Sequence, residues 1–178
     1  MADRTGNANR PPREHLLTAA ELAALPETRL EHQHNPQAVR YFRSLGDRFG
    51  FARTGVHLVR IAPGSASSEL HNHEMEEEWV YVLSGRGLAC IGEERFEVAP
   101  GDFLAYPPFG PAHNIENPFA EDIVLLVGGS REDSDICNYP RVGRRQWKTG
   151  EVREWVEADT VRIVRRKAEK GPPPPKGP

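Results

Sequence analysis

The chain has 178 residues, of which 38% are hydrophobic and 28% are charged, and its formal net charge at pH 7 is −3. This length suits one domain with a sizeable core, and the small negative charge gives no general attraction to nucleic acid or to a membrane surface. The N-terminal residues lack the hydrophobic core of a signal peptide, and the apolar runs are too short to span a bilayer. We therefore expect a cytoplasmic protein that binds neither nucleic acid nor membranes.

The segment before residue 50 is predicted to contain one short helix, over 18–24. Thr18 and Glu21 have the spacing of a capping box, and Pro26 lies just past the end. His32 and His34 follow with one residue between them, but no strand carboxylate and no returning histidine accompanies this pair. We expect the segment that carries them to pack on the outside of the core unit or on a partner subunit.

From residue 56 the sequence changes to short runs of β-branched and aromatic residues separated by turns. Many short strands of this kind favour an antiparallel sandwich or barrel over a doubly wound parallel sheet. The predicted strands lie at 56–61, 78–83, 88–91, 95–98, 103–106 and 122–127.

A pair of histidines with one residue between them opens the central motif. On an extended strand, His71 and His73 project to the same side and can chelate one ion. Glu78 begins the next strand and shares one of its faces with Val80 and Val82. A carboxylate on a face with two valines is costly to bury unless a cation meets it, and an ion held by the two histidines would do so.

A third histidine follows the strand at 103–106, where a turn containing prolines and glycines returns the chain. These two stretches resemble the two motifs of the cupin superfamily. The residues that carry the first motif are Gly64, His71, His73, Glu78 and Gly85, and those of the second are Gly101, Pro107, Gly110, His113 and Asn117. The second motif departs from the family pattern by one extra residue between Pro107 and Gly110.

The resemblance implies an all-β fold, a small antiparallel jelly-roll β-barrel with a short N-terminal helical arm, a C-terminal extension and a metal inside. Divalent iron, manganese, zinc, nickel or cobalt would suit the implied ligands equally. The family spacing would also allow Glu77 as the carboxylate ligand, but only Glu78 fits the gap to Gly85. Glu74, Glu76 and Glu77 are expected to form a solvated acidic turn. The implied metal ligands are His71, His73, Glu78 and His113.

The resemblance leaves the reaction open, because cupins span many activities. One hypothesis is a metal-dependent oxygenase, isomerase or lyase that acts on a small carboxylate or sugar-derived substrate. The other is a non-catalytic module that binds a small molecule or sugar. In the oxalate decarboxylase branch an arginine lies three residues before the first histidine, and Ser68 occupies that position here. The chain also resembles bacterial single-domain cupins labelled sugar-phosphate isomerases.

Four further residues are candidates for contact with a substrate. Arg60 is a candidate cation for a sugar phosphate, provided that its strand turns it inward. An acid or base inside the barrel would favour the enzyme, although core or rim packing is the commoner role of such residues. The candidates for that role are Tyr106, His57 and Glu69.

Two cysteines are too few for a disulfide framework in a chain of this length. Cys90 lies in an apolar run and is predicted to be a small buried hydrophobe, whereas Cys137 lies in a turn-like segment with no partner base in view. An edge strand is predicted at 160–164. Composition divides the chain into a disordered tail, an arm, the cupin barrel, a C-terminal extension and a proline-rich tail, at 1–16, 17–50, 51–130, 131–170 and 171–178.

The face opposite Glu78 on the same strand is apolar. Trp79, Tyr81 and Leu83 must point out of the barrel if Glu78 points in, and three large side chains in a row on an outer sheet face need a cover. Cupins commonly pair through such a sheet. The sequence therefore predicts a C2 homodimer with the same patch on both subunits.

Overall fold

A computed structural model describes residues 11–164 of the chain. Thirteen strands, all paired antiparallel, make up most of the described part. The predicted tail at 171–178 and the first ten residues of the predicted tail at 1–16 lie outside the described residues. Among residues 11–164, no helix is long and apolar enough to cross a membrane.

The largest sheet has six strands. Its inner face carries alternate residues of each strand, which is the period-two pattern that the β-branched runs predict. In sheet order the strands are β1 (Thr28–His32), β2 (Asn35–Ser44), β3 (Thr54–Ile61), β10 (Ile123–Ser130), β5 (Glu78–Ser84) and β8 (Phe103–Tyr106).

Two smaller sheets complete the barrel. They join through an antiparallel bridge between His71 and His113, whose backbone N–H groups each donate to the carbonyl oxygen of the other residue, at 3.1 and 2.7 Å. The strands of the first are β13 (Val152–Glu157), β12 (Arg144–Thr149), β11 (Ser134–Tyr139) and β4 (Asn72–His73). Those of the second are β7 (Glu94–Val98), β6 (Gly87–Ile91) and β9 (His113–Glu116).

The helices are short and lie at the ends of strands. Helix α1 (Ala19–Ala24) begins at Thr18 with the predicted capping box, because the Thr18 side chain accepts from the backbone of Glu21 and the Glu21 side chain accepts from the backbone of Thr18. Single turns complete the set: α2 (Leu45–Arg48) and the 3-10 segments Pro12–His15, Pro140–Val142 and Ala158–Thr160.

The core lies between the sheets and is built from inward residues of the predicted strands. Val80 and Val82 are almost fully buried, while Tyr81 and Leu83 on the same strand are exposed. Gly85 ends this strand with a φ of +76°, and a Cβ there would collide with the backbone oxygen of Asp122. The antiparallel jelly-roll barrel with a short helical arm and a C-terminal extension is confirmed.

The arm packs differently from the prediction over much of its length. Strands β1 and β2 extend the six-stranded sheet instead of lying on its outer surface. Only the part around helix α1 packs on the outside, where Arg43 donates to the Leu25 carbonyl at 2.8 Å and Glu27 forms an ion pair with Arg60 at 2.7 Å. The arm therefore contributes side chains to the inside of the barrel.

Two local predictions in the C-terminal extension are wrong. The segment of Cys137 is strand β11, not a turn, because Asp135, Cys137 and Tyr139 alternate inward while the strand pairs with β4 and β12. The predicted edge strand at 160–164 is absent from the described residues, since the 3-10 turn at Ala158–Thr160 takes the chain away from the sheet. The strands of this extension lie earlier, at β12 and β13.

Candidate metal centre

Three histidines and one glutamate converge inside the barrel. Glu78 begins β5 and points inward opposite Tyr106 of β8. His71 and His113 are placed by the bridge between the two smaller sheets, and His73 lies on β4. One oxygen of Glu78, Oε2, lies 3.9 Å from His71 Nε2, 3.8 Å from His73 Nε2 and 3.9 Å from His113 Nε2.

The Nδ1 atom of each histidine meets an oxygen on the opposite side of its ring. His71 Nδ1 lies 2.9 Å from the carbonyl oxygen of Glu69, and His113 Nδ1 lies 3.2 Å from that of Pro111. His73 Nδ1 lies 2.5 Å from a carboxylate oxygen of Asp135. An acceptor at Nδ1 favours the tautomer with its proton there, which leaves the Nε2 lone pair directed at Glu78.

Burial and charge set the protonation states at this centre. Burial lowers the pKa of His71 to about 3, so its imidazole is neutral. Burial opposes the charge of Glu78, but the surrounding histidines, with His113 first among them, outweigh it and lower the pKa of the carboxyl to about 2. At neutral pH the centre therefore offers the neutral imidazole of His71 and the ionised carboxylate of Glu78. Burial opposes the charge of His73, but the hydrogen bond with Asp135 and the charge of that carboxylate outweigh it and raise the pKa of this histidine.

These donors fit a divalent transition metal. The distances from Glu78 to the three nitrogens are too long for hydrogen bonds and suit donors that share one ion at about 2.0–2.2 Å. His113 Nε2 is buried and has no hydrogen-bond partner within the described part of the chain, which an ion would supply. His71, Glu78 and His113 form one group whose donor atoms lie within 4.8 Å of one another.

Two other groups of possible ligands surround His73. Cys137 lies on β11 opposite His73, and its sulfur forms a group with His71 and His73. Burial raises the pKa of Cys137 to about 12, which favours the thiol over the thiolate that binds metals. Asp135 and Glu76 form the remaining group with His73, and Asp135 contacts the Nδ1 side of the ring, away from Glu78.

A cavity of about 800 Å³ opens from the four donors. Tyr106 and His57, two of the candidate acid–base residues, line it, whereas Glu69 does not. The Tyr106 ring stacks on His113 with centroids 3.5 Å apart, and its buried hydroxyl has no hydrogen-bond partner among residues 11–164. Glu69 is buried and accepts from Asn35 Nδ2 at 2.7 Å.

The predicted cation Arg60 does not face the cavity. It lies on the outer face of β3, where it pairs with Glu27 and Asp122 and stacks over Tyr41. The sequence does not identify Arg40 of β2, which lines the cavity together with Ala38 and Phe42 of the same strand. No strand is predicted over this segment, so no alternation of faces is available there.

The acidic turn before Glu78 is only partly solvated, contrary to the prediction. Arg145 forms an ion pair with Glu74, and Lys148 forms one with Glu76. These four side chains are each at most one-fifth exposed. The basic residues of β12 therefore hold the loop that connects His73 to Glu78, and Glu77 is the exposed member of the turn.

The histidine pair of the arm joins an aromatic cluster beside the cavity. His32 and His34 contact Trp155, with centroids 6.4 and 4.5 Å away, and Trp155 lies 5.1 Å from Tyr139. Tyr139 in turn stacks on His71 at 5.7 Å. The arm and the C-terminal extension thus meet next to the candidate metal centre.

Comparison with known proteins assigns the central part of the chain to one family. Residues 57–128, which carry all four donors, match the family model described as a cupin domain. The crystal structure of a candidate sugar phosphate isomerase from Acidithiobacillus ferrooxidans is similar over 86% of this chain and 99% of that chain, with 40% identity and a TM-score of 0.84.

Two curated relatives each match about half of this chain. An uncharacterised protein of Methanocaldococcus jannaschii is 46% identical over 80 residues, which are 45% of this chain and 56% of that protein. The oxalate decarboxylase of Bacillus subtilis is 36% identical over 95 residues, which are 51% of this chain and 23% of that enzyme. The chain thus spans about half or less of the length of these curated relatives.

Proposed function

Because the chain belongs to the cupin superfamily, we propose that it is a metal-dependent enzyme acting on a small polar substrate in the cavity. The observation that carries the proposal is the approach of three histidine Nε2 atoms to one oxygen of Glu78, at 3.8–3.9 Å. Iron, manganese, zinc, nickel and cobalt suit this donor set equally. The proposed ligands are His71, His73, Glu78 and His113.

The chain supplies a proton donor and a proton acceptor beside these ligands. A divalent ion held there would polarise a carbonyl or hydroxyl group of the substrate. Burial raises the pKa of Tyr106, so its hydroxyl keeps a proton that it can donate beside Glu78. Burial also lowers the pKa of His57, which is therefore neutral and can accept a proton at its unpaired Nδ1.

The substrate class that we propose is carboxylate or sugar-derived. The likeness to the Acidithiobacillus protein, which extends over nearly all of that chain, supports a sugar-derived substrate. The likeness to oxalate decarboxylase supports a carboxylate, but it covers only 23% of that enzyme. Ser68, where that branch has an arginine, contacts His71 Nδ1 at 3.0 Å, which weighs against oxalate.

Elemental analysis tests the metal directly. Protein purified without chelator should contain about one equivalent of a transition metal per chain, or should take it up on refeeding. Less than about a tenth of an equivalent after refeeding would contradict the proposal. Iron would favour oxygen chemistry, whereas zinc or manganese would favour isomerase or lyase chemistry.

Turnover assays on the wild type and on a variant without the Tyr106 hydroxyl distinguish an enzyme from a non-catalytic binding module. The metal-loaded protein is incubated with a panel of sugar phosphates and small hydroxy and keto acids, and turnover is followed by NMR. Tyr106→Phe keeps the ring on His113, so we expect it to lower kcat by about 10²-fold or more while substrate still binds. Binding without turnover of any panel member by the wild type would favour the module.

We also propose that two chains form a C2 homodimer. The support is the outer face of β5 and β8, where Tyr81, Leu83 and Phe103 are 39%, 43% and 62% exposed. Helix α1 and its flanks contact β2 and β3, so this part of the arm leaves the patch uncovered. An isologous contact would bury the same apolar patch on both subunits.

A further inference from the structure

We propose that Arg40 binds an anionic group of the substrate, a carboxylate or a phosphate, in the cavity that holds the candidate metal centre. The inference deepens the proposed function and relies on it for the identity of this cavity as the substrate site. The shared chemistry is a planar or tetrahedral oxyanion that accepts hydrogen bonds from a guanidinium group.

Arg40 reaches the cavity from the arm. It lies on the inner face of β2 between Ala38 and Phe42, and all three residues line the cavity. Its Nη1 atom donates to the carbonyl oxygen of Ser67 at 2.6 Å. This bond fixes the guanidinium group next to the loop that precedes His71.

Most of the hydrogen-bonding capacity of Arg40 remains unused. A guanidinium group has five N–H donors, and the Ser67 bond uses one of them. Nε and Nη2 make no hydrogen bond within residues 11–164. Neither atom belongs to the side-chain atoms there that are fully buried without a hydrogen-bond partner. These donors are therefore open to a ligand, in the fork arrangement that binds carboxylates and phosphates by two bonds.

Arg40 also lacks an ion pair within residues 11–164, unlike Arg131 and Lys148 of the same cavity wall. Arg131 pairs with Asp47 at 2.5 Å, and Lys148 pairs with Glu76. No carboxylate among the described residues lies within ion-pair distance of Arg40. Glu78 supplies the strongest favourable charge, but its oxygen faces the three histidines.

An unpaired guanidinium in this position is costly without a ligand. Burial lowers the pKa of Arg40, which shows how poorly solvated the charge is, although an arginine remains protonated at neutral pH. A buried cation is stabilised when an anion with matching hydrogen-bond acceptors joins it. If Glu78 is bound to a metal, an anionic ligand is the partner that the cavity can still receive.

Two neutral imidazole rings interact electrostatically with the positive charge of Arg40. His32 and His57 line the same cavity, and the positive charge of Arg40 helps burial to lower the pKa of both. Each neutral imidazole can donate one hydrogen bond to an oxyanion without adding charge. The cavity therefore offers an anion the unpaired guanidinium of Arg40 and two neutral donors, while the ionised Asp47 of the same wall is paired with Arg131.

The test compares two arginines on adjacent strands. Arg40→Gln and Arg60→Gln remove the same charge, but Arg60 lies on the outer face and serves as the matched control. The probes are glycerol 3-phosphate and glycerate, which are anionic, and glycerol, which is neutral. Affinities are measured by ligand-observed NMR on protein as purified, with metal content determined on each sample.

We expect wild type to bind at least one anionic probe more tightly than glycerol. Arg40→Gln should lower the affinity for that anionic probe by about tenfold or more, since the anion loses its charged partner. The affinity for glycerol should stay within about twofold of the wild-type value. Arg60→Gln should change neither probe by more than about twofold. Equal affinity of wild type and Arg40→Gln for the anions, or no preference of wild type for them, would overturn the inference.

A second measurement does not depend on a folded variant. In wild-type protein labelled at arginine, the Nε–Hε resonance of Arg40 should shift when the anionic probe is added and should not shift with glycerol. An unmoved resonance at saturating probe would also contradict the inference. If the protein binds metal and Arg40→Gln binds the anionic probes as tightly as wild type, this inference is contradicted and the proposed function is not. If the protein binds no metal and anion binding still depends on Arg40, the proposed function is contradicted and this inference is not.

Discussion

The oxygen that meets Nδ1 differs among the three histidines of the candidate centre. His71 and His113 contact backbone carbonyls, which no substitution of a side chain removes. His73 contacts the carboxylate of Asp135, which is buried and also accepts from the backbone N–H groups of Met75 and Glu76. Asp135 is therefore the side chain that orients His73, and it can be tested by mutation.

Asp135→Asn should lower metal affinity by about 10- to 100-fold, because an amide holds the ring less firmly and makes its nitrogen less basic. The measurement is metal competition against a chromophoric chelator. Asp133→Asn, two residues earlier and exposed, carries the same charge change and should have little effect. Equal affinities of the two variants would contradict an orienting role for Asp135.

Glu78→Ala should reduce metal binding strongly, whereas Glu77→Ala should leave it close to wild type. The reason is that Glu78 faces the histidines, while Glu77 is exposed at the end of the turn. Both variants should keep their circular dichroism spectrum, since the barrel core consists of apolar side chains that need no ion. Loss of metal from Glu77→Ala alone would show that the ligand register is wrong.

The sequence predicts the proposed metal ligands but not Arg40, the proposed anion-binding residue. Residues i and i+2 on a strand share a face, so the relation of His71 to His73 and of Glu78 to Val80 follows from local geometry. The loop between Arg60 and His71 interrupts the alternation of side chains, so the sequence does not show whether both residues face the same side. The sequence also does not show that Arg40 points inward. Its inward position depends on the pairing of β2 with β3, and no local sequence pattern encodes this contact between strands.

At the scale of elements, one acidic residue links the segment between α1 and β1 to the outer face of the sheet. Glu27, between α1 and β1, pairs with Arg60 of β3 at 2.7 Å and with Arg43 of β2 at 3.3 Å. The hydrogen bonds from Arg60 hold the pKa of Glu27 below its usual range. Charge on this residue therefore stabilises the packing of the arm on the outer face of the sheet.

Glu27→Gln should lower the free energy of unfolding by about 1 kcal/mol at pH 7, because these partly buried arginines lose their shared partner. The folded-state pKa lies below the unfolded one, so the stabilisation is present above the unfolded pKa and is lost as pH falls through the folded pKa. Denaturant titrations at several pH values should show the difference between wild type and variant shrinking below about pH 4.3. A difference that is independent of pH would exclude the charge as its cause.

Helices and strands could be predicted where the local sequence signal was strong. The prediction failed where pairing with another strand determines whether a segment is a strand. The capping box and the β-branched runs correctly marked α1 and the core strands. The sequence predicts a turn-like segment at 135–140, yet the alternate burial of Ser134–Tyr139 and its pairing with β4 make this segment a strand. The strand predicted at 160–164 is wrong because its β-branched residues pair with no strand in the part of the chain that the structure describes.

At the scale of the whole molecule, the outer face of β5 and β8 carries a patch of exposed apolar side chains. Trp79 lies over Gly128, where a Cβ would collide with the indole ring, and it stacks near Phe103 at 6.2 Å. Tyr81 and Leu83 continue this patch along β5. Shape and composition make the patch suitable for contact with a second copy of the chain.

Sedimentation equilibrium at micromolar concentration should give twice the chain mass of 19.9 kDa. Phe103→Glu should shift the protein toward the monomer, because a charge at the contact is costly to bury. Val152→Glu changes another exposed apolar residue, at the start of β13, and should leave the dimer intact. A wild-type species at the monomer mass would refute the dimer.

The cavity wall has two origins along the chain. The four donors lie in residues 57–128, the region shared with the family, whereas Arg40, His32 and Tyr139 come from the flanking arm and extension. The flanks could therefore change during evolution while the four donors stay fixed, and related chains would then differ in the ligands that their cavities accept. Grafting the flanks of one such chain onto the central region of another should transfer ligand selectivity without rebuilding the candidate metal centre.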